Sequence, residues 1–198
     1  MLTPENLIRI SDLVIPYRLR AIAFGKTAIS LEKKYTVNEV VELNIGIQEN
    51  SEYHGFLGDF TQPVVSCAIL HSRCLLEFLG LALDHSAKQL NVKASNRARK
   101  ESDIGIENFF NRDGVSLQKL SPKSAVESLD RVDDFNVLTQ AWGKTFAAAH
   151  QRLAHSTNDE LLGGEHAGEA FELAFDSIPE LVLRAFYDAS GKQRPNLV

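Results

Sequence analysis

The segment PVVSCAILHSRCLLEFLGLAL, Pro63 to Leu83, decides the fold. At roughly 100° per residue, Val64, Val65, Ala68, Ile69, Leu75, Leu76, Leu79 and Leu83 make one broad apolar face. Cys67, Leu70, Cys74 and Phe78 cover most of the opposite one. A helix that is apolar nearly all round belongs inside a core or a membrane. Only Arg73 and Glu77 interrupt the second face, four residues apart and within pairing reach. Burying such a pair is costly unless both charges find further partners. The segment therefore reads as the central post of a helical domain, its charged pair a structural clamp or a site.

The rest of the chain fits one all-α domain, residues 1–198. Its 198 residues are 44% hydrophobic and 24% charged, ordinary for a globular protein with a sizeable core. A net charge of −5 argues against general coating of nucleic acid or anionic membrane. The N-terminal residues carry scattered charges and no apolar run of signal-peptide type. Arg73 and Glu77 leave the central helix short of the ~18 clean residues of a membrane span. Cys67 and Cys74, seven residues apart on one helix, stand about 10.5 Å apart along its axis. That is too far for a bridge, so they read as buried thiols of a reducing, cytoplasmic compartment.

Working outward, Thr3-Pro4-Glu5 starts a short helix. Pro16 restarts the chain into a second helix ending near Tyr35, so residues 1–35 could form an N-terminal helical appendage. Thr36-Val37-Asn38-Glu39 matches a capping box and predicts a helix through Ile45. Thr61-Gln62-Pro63 opens the central helix. Residues 86–102 gather Lys88, Lys93, Arg97, Arg99 and Lys100 with few apolar side chains and read as an exposed basic connection. Asp103 to Phe110 reads as one or two helical turns plugging the bundle, and Ser121-Pro122 opens another short helix. Asp133 or Asp134 caps a long helix with Val137, Leu138, Ala141, Trp142, Phe146, Ala149 and Leu153 on one face. A last helix, about Glu165 to Ser190, kinks at Pro179 and is capped by Gly191. No strand pattern of convincing length is found. The expected architecture is a bundle of four to five main helices with short accessory ones, and Trp142, Phe146, Phe109 and Phe110 are expected in its core.

Candidate chemistry centres on His150-Gln151-Arg152-Leu153-Ala154-His155. Arg152 falls on the inward stripe of its helix and needs a partner, with Glu77 or Asp103 the expected ones. Paired with His155, whose imidazole titrates near neutrality, it could hold a phosphate and move a proton. The plainer alternative is that Arg152 tethers helices and His155 ends one. His71, Arg73, Glu77 and Asp103 form the accompanying charge cluster. His71 sits well round the helix from Arg73 and Glu77, and there is no His-x-x-x-His or Glu-x-x-His pair, so neither metal nor cofactor is expected. Lys93, Arg97, Arg99 and Lys100 could contact phosphates, although no aromatics are interleaved with them to stack bases.

HSRCLLEFLG at 71–80, ESDIGIENFF at 101–110 and HQRLAHST at 150–157 occur in an order that resembles small bacterial relatives of the HEPN helical superfamily. The resemblance implies a helical bundle, often dimeric, from toxin–antitoxin, phage-defence or RNA-processing systems. Many members are metal-independent ribonucleases with an Arg four to six residues before a His; others are interaction modules. His155 matches the His, but Arg152 is three residues before it. Lys144 and His150 have the spacing with the wrong cation, since lysine cannot make arginine's planar bidentate contact. The expectation is a dimerising module that binds a protein partner or a second copy. The alternative is a ribonuclease with RNA as substrate, Arg152 steadying the phosphate and His155 transferring the proton.

Overall fold

The computed structural model describes residues 3–43, 53–86, 89–100, 103–152 and 167–197. Thr3 caps α1 (Pro4–Arg9), accepting from the Asn6 amide at 3.3 Å. A π turn, Ile10–Val14, carries the helical path into α2 (Ile15–Lys34). Ile15, Leu19, Ile22, Ala28 and Ile29 of α2 are buried, each apolar side chain larger than alanine contributing about 1.5–3 kcal/mol. Residues 1–35 are therefore not an appendage, because α2 is the main packing partner of the post.

The post itself is α3 (Leu57–Phe78). It begins six residues before Pro63, which the helix accommodates on its exposed side. It ends five residues short of Leu83, because Gly80 takes a φ of +93° that a side-chain-bearing residue resists. The Tyr17–His71 and Phe24–Phe60 ring contacts set α2 and α3 antiparallel. At their crossing Gly25 faces Ala68 so closely that a Cβ on Gly25 would lie 2.3 Å from the Ala68 Cβ and 3.2 Å from the Phe175 ring.

Two small antiparallel ladders correct the helix-only expectation. The segment expected as a helix from Thr36 instead turns, with the Glu39 amide bonded to the Thr36 carbonyl at 2.9 Å. It then runs as β1 (Val40–Leu43) against β2 (Tyr53–Phe56). Thr, Asn and a β-branched pair serve a turn and strand as well as a helix cap. Beyond Gly80, β3 (Leu81–Leu83) pairs with β4 (Val92–Ala94), Leu81 opposite Ala94. Val92 is buried, so the basic connection is anchored rather than merely solvated.

The short 3-10 turn Ile106–Asn108 plugs the end of α3 as expected. Phe109 packs edge-on against Phe78 and Phe186 at centroid distances of 5.9 and 4.8 Å. Phe110, by contrast, is 57% exposed, because the extended chain there turns alternate residues outward. Ser121 caps α4 (Pro122–Ser128) in a reciprocal bond pair with Ser124. A 3-10 turn, Val132–Asp134, precedes α5 (Phe135–Ala147), and the Asp134 carboxylate pairs with Arg131 instead of capping it. Leu138, Trp142 and Phe146 line the core, but Val137 is 59% exposed.

The final helix, α6 (Ala167–Val182), runs through Pro179 into a π turn, Leu183–Asp188, and the helical path stops at Gly191 with φ +67°. The Trp142 indole donates to Ser177 Oγ at 2.9 Å and so joins α5 to α6. The buried Tyr187 hydroxyl donates to the Ser11 carbonyl at 2.6 Å, joining the two terminal π turns.

Gly25→Ala should lower stability by about 1–3 kcal/mol through overpacking, against the ~1 kcal/mol alanine otherwise adds to a helix. Thermal unfolding of Gly25→Ala, with Ala68→Gly added to relieve the contact, checks this. Recovery in the double variant is the expected outcome.

Candidate functional site

The charge cluster expected inside the bundle separates into independent parts. Arg73 and Glu77 do pair, at 2.9 Å, but their side chains are 32% and 45% exposed. The pair is a surface rung of α3 and not a buried clamp. Asp103 is exposed, and among the described residues no salt bridge links it to Arg73. His71 belongs instead to the α2–α3 seam. Its Nδ1 lies 3.4 Å from Arg18 Nη1, and its ring stands edge-on to Tyr17 at 5.1 Å. Burial, with Arg18 adding to it, lowers the pKa of His71, so the neutral ring accepts from the guanidinium. A π turn, Ala148–Arg152, continues α5. It carries the Arg152 main chain, while the Arg152 side chain and His155 fall outside the described residues. His150 is exposed, and Lys144 is half-buried.

The basic stretch divides between structure and solvent. Lys93 reaches across its ladder to Asp84 at 3.4 Å. Arg97 and Lys100 are exposed, and the Arg97 carbonyl accepts from Lys119 Nζ at 3.3 Å. Arg99, expected as a phosphate contact, is committed elsewhere. Its Nε donates to Glu107 Oε1 at 2.8 Å, and its Nη2 donates to the Glu77 and Phe78 carbonyls at 2.8 and 3.1 Å. These are among the last carbonyls of α3, where a cation is favoured, and the Glu77 carbonyl also accepts from the Gly80 amide at 3.1 Å. Gly105 permits the arrangement, since a Cβ there would lie 2.1 Å from the guanidinium. Lys119 adds a second cation to Glu107 Oε1 at 3.3 Å, while the buried Oε2 makes no hydrogen bond among the described residues. Burial alone would raise the pKa of Glu107, but the bonds from Arg99 and Lys119 outweigh it and hold the carboxyl below its ordinary value.

The feature the sequence reading missed lies on the outer side of α2. Leu13, Tyr17 and Phe24 are 63%, 55% and 52% exposed. Leu13 belongs to the π turn before α2, whereas Tyr17, Arg20 and Phe24 border a groove of about 470 Å³ between α2 and α3, which Val64, Cys67 and Leu197 also line. Cys67 and Cys74 are half-buried free thiols, less enclosed than expected. No family model, curated protein or solved structure matches the chain. The surface is therefore judged on its chemistry, and large side chains spread along one helical stripe are characteristic of a contact surface. The sequence carries these residues as exposed-side neighbours of Leu19 and Ile22, but the reading of this helix singles out neither Tyr17 nor Phe24.

A second cavity, about 440 Å³, lies beside Tyr187 and is edged by Asp12, Lys192 and Arg194. Arg194 pairs there with Asp188, at 2.8 Å from its Nε, and Lys192 stands 3.9 Å from Asp12. Its charges are mutually neutralising. Among the described residues, no group of His, Cys, Asp or Glu side chains is arranged to hold a metal ion, and no helix is long and apolar enough to cross a membrane.

The Arg99–Glu107 clamp has a pH signature. A depressed folded pKa contributes stability that is complete above the ordinary value of 4.5 and is lost as pH falls through the folded value. Glu107→Gln should therefore flatten the loss of stability below about pH 4.5, and Arg99→Ala should cost about 1–3 kcal/mol near neutrality. Denaturant titrations at a series of pH values check both.

Proposed function

We propose that this protein is a dimerising interaction module of HEPN-like fold, without catalysis of its own. The observation that carries the reading is the outer side of α2 and of the π turn before it: Tyr17 and Phe24 are each more than half exposed beside an apolar groove, and Leu13 is exposed one turn earlier. Isolated apolar residues on a surface are ordinary, but two exposed aromatics beside a groove, with Leu13 one turn away, supply the anchors that association needs. The reassignment of charges supports it from the other side. Arg73 is paired at the surface and Arg99 holds the end of α3, so neither is available to organise a phosphate. The helical bundle and the three quoted motifs are what suggest the HEPN-like relation, and a cytoplasmic location goes with it.

A second reading keeps the ribonuclease, because α5 runs on into a π turn that includes Arg152, and π turns recur at functional sites. In that reading Arg152 and His155 act on RNA without a metal.

Sedimentation equilibrium tests the first reading. Wild type should self-associate, and Phe24→Asp should raise the dimer Kd at least about a hundredfold, since the anchor is lost twice per dimer. Because Phe24 also packs edge-on against Phe60, the Kd change counts only in a variant whose circular dichroism stays that of wild type. Metal-free incubation with a mixed RNA pool should give no cleavage. Cleavage abolished in a folded His155→Ala variant would favour the ribonuclease instead.

A further inference from the structure

The two cavities share one wall. Residues 192–197 leave Gly191 without regular secondary structure and pass over the start of α2. Lys192, Arg194 and Pro195 line the polar cavity that Pro16 borders. Leu197 lines the apolar groove that begins one residue on, at Tyr17, and it packs against the core. The segment is fixed along its length. The Lys192 amide donates to the Tyr187 carbonyl at 2.9 Å, and Lys192 Nζ stands 3.9 Å from Asp12. Arg194 clasps Asp188 with two donors, Nε to Oδ1 at 2.8 Å and Nη2 to Oδ2 at 2.5 Å.

We infer that residues 192–197 are a releasable strap, latched by Arg194 on Asp188, which seats Leu197 in the α2–α3 groove and shields the Cys67 thiol. The latch is built to open. Its two side chains are 45% and 47% exposed, and ion pairs open to water contribute little to stability. A segment held by few buried contacts opens without unfolding the rest of the molecule. The groove therefore already has an occupant, an aliphatic side chain on irregular backbone, and lifting it uncovers the apolar walls down to Cys67. Cys67 is a half-buried free thiol and reports the event, whereas Cys74 does not line the groove. One chain carries every part of the device, so the inference goes beyond self-association and does not depend on it.

Labelling of the full chain with DTNB, in a Cys74→Ser background that leaves Cys67 as its one thiol, tests the strap. Arg194→Ala and Leu197→Asp should each speed the labelling at least about fivefold, as local opening becomes easier. The exchanged pair, Arg194→Asp with Asp188→Arg, should return the rate to within about twofold of wild type, as coupled partners do. A dilution series separates the two possible shields, because dilution removes a second copy and leaves the strap in place. An independent measure is Leu197→Cys, which a short bismaleimide should join to Cys67 within one chain. Adding Arg194→Ala should reduce that yield. Labelling that neither single variant speeds, an exchanged pair that stays fast, or an intrachain link that does not form would each overturn the strap. Circular dichroism and thermal unfolding like those of wild type confirm that a faster rate comes from the strap.

Discussion

The approach of Gly25 to Ala68 governs how the bundle is assembled. Two helices can come this close only where one lacks a side chain and the other carries a methyl group, and here Phe175 of a third helix packs on the same point. Interiors are packed like solids, so this crossing fixes the register of α2 along α3. Leu19 and Ile22 are then set beneath the post and the opposite stripe of α2 is turned to solvent. The core and the candidate interface are two faces of one helix, placed by one contact.

At the other end of the post a cation does similar work. Arg99 supplies donors to the Glu77 and Phe78 carbonyls at the end of α3, and Glu107 holds the guanidinium in place. A side chain that looks, by composition, like part of a nucleic-acid-binding run is thus the cap of a helix that ends 21 residues earlier in the chain. Basic residues near one another in sequence do not share a role when their partners come from different elements.

What could be read from the residues alone follows from the range of the interactions concerned. The helical class, the plug at Phe109, the Ser121 cap and the Gly191 stop depend on neighbours within a few positions, and all were legible. The post was legible in its middle but not at its ends, because Gly80 acts through backbone conformation rather than hydropathy. The β1–β2 ladder was missed because Thr36 to Glu39 suits a turn as well as a cap, and the choice is made by a strand that returns at Tyr53. Arg73 with Glu77 was legible as a pair but not as an exposed one, since exposure depends on what α3 packs against. The outer side of α2 was not singled out, because only the burial of Leu19 and Ile22 shows which of the two faces of that helix is left over.

The hydrogen bond from Tyr187 to Ser11 joins residues 176 positions apart. Loop-closure entropy grows with the length of chain enclosed, so this contact gains little until the helices between are already in place. Residues near in sequence, such as the α2–α3 pair, close much shorter loops and are favoured to organise first. The tyrosine bond therefore acts as a fastening made late in folding, closing the first π turn against the last once the core between them has formed.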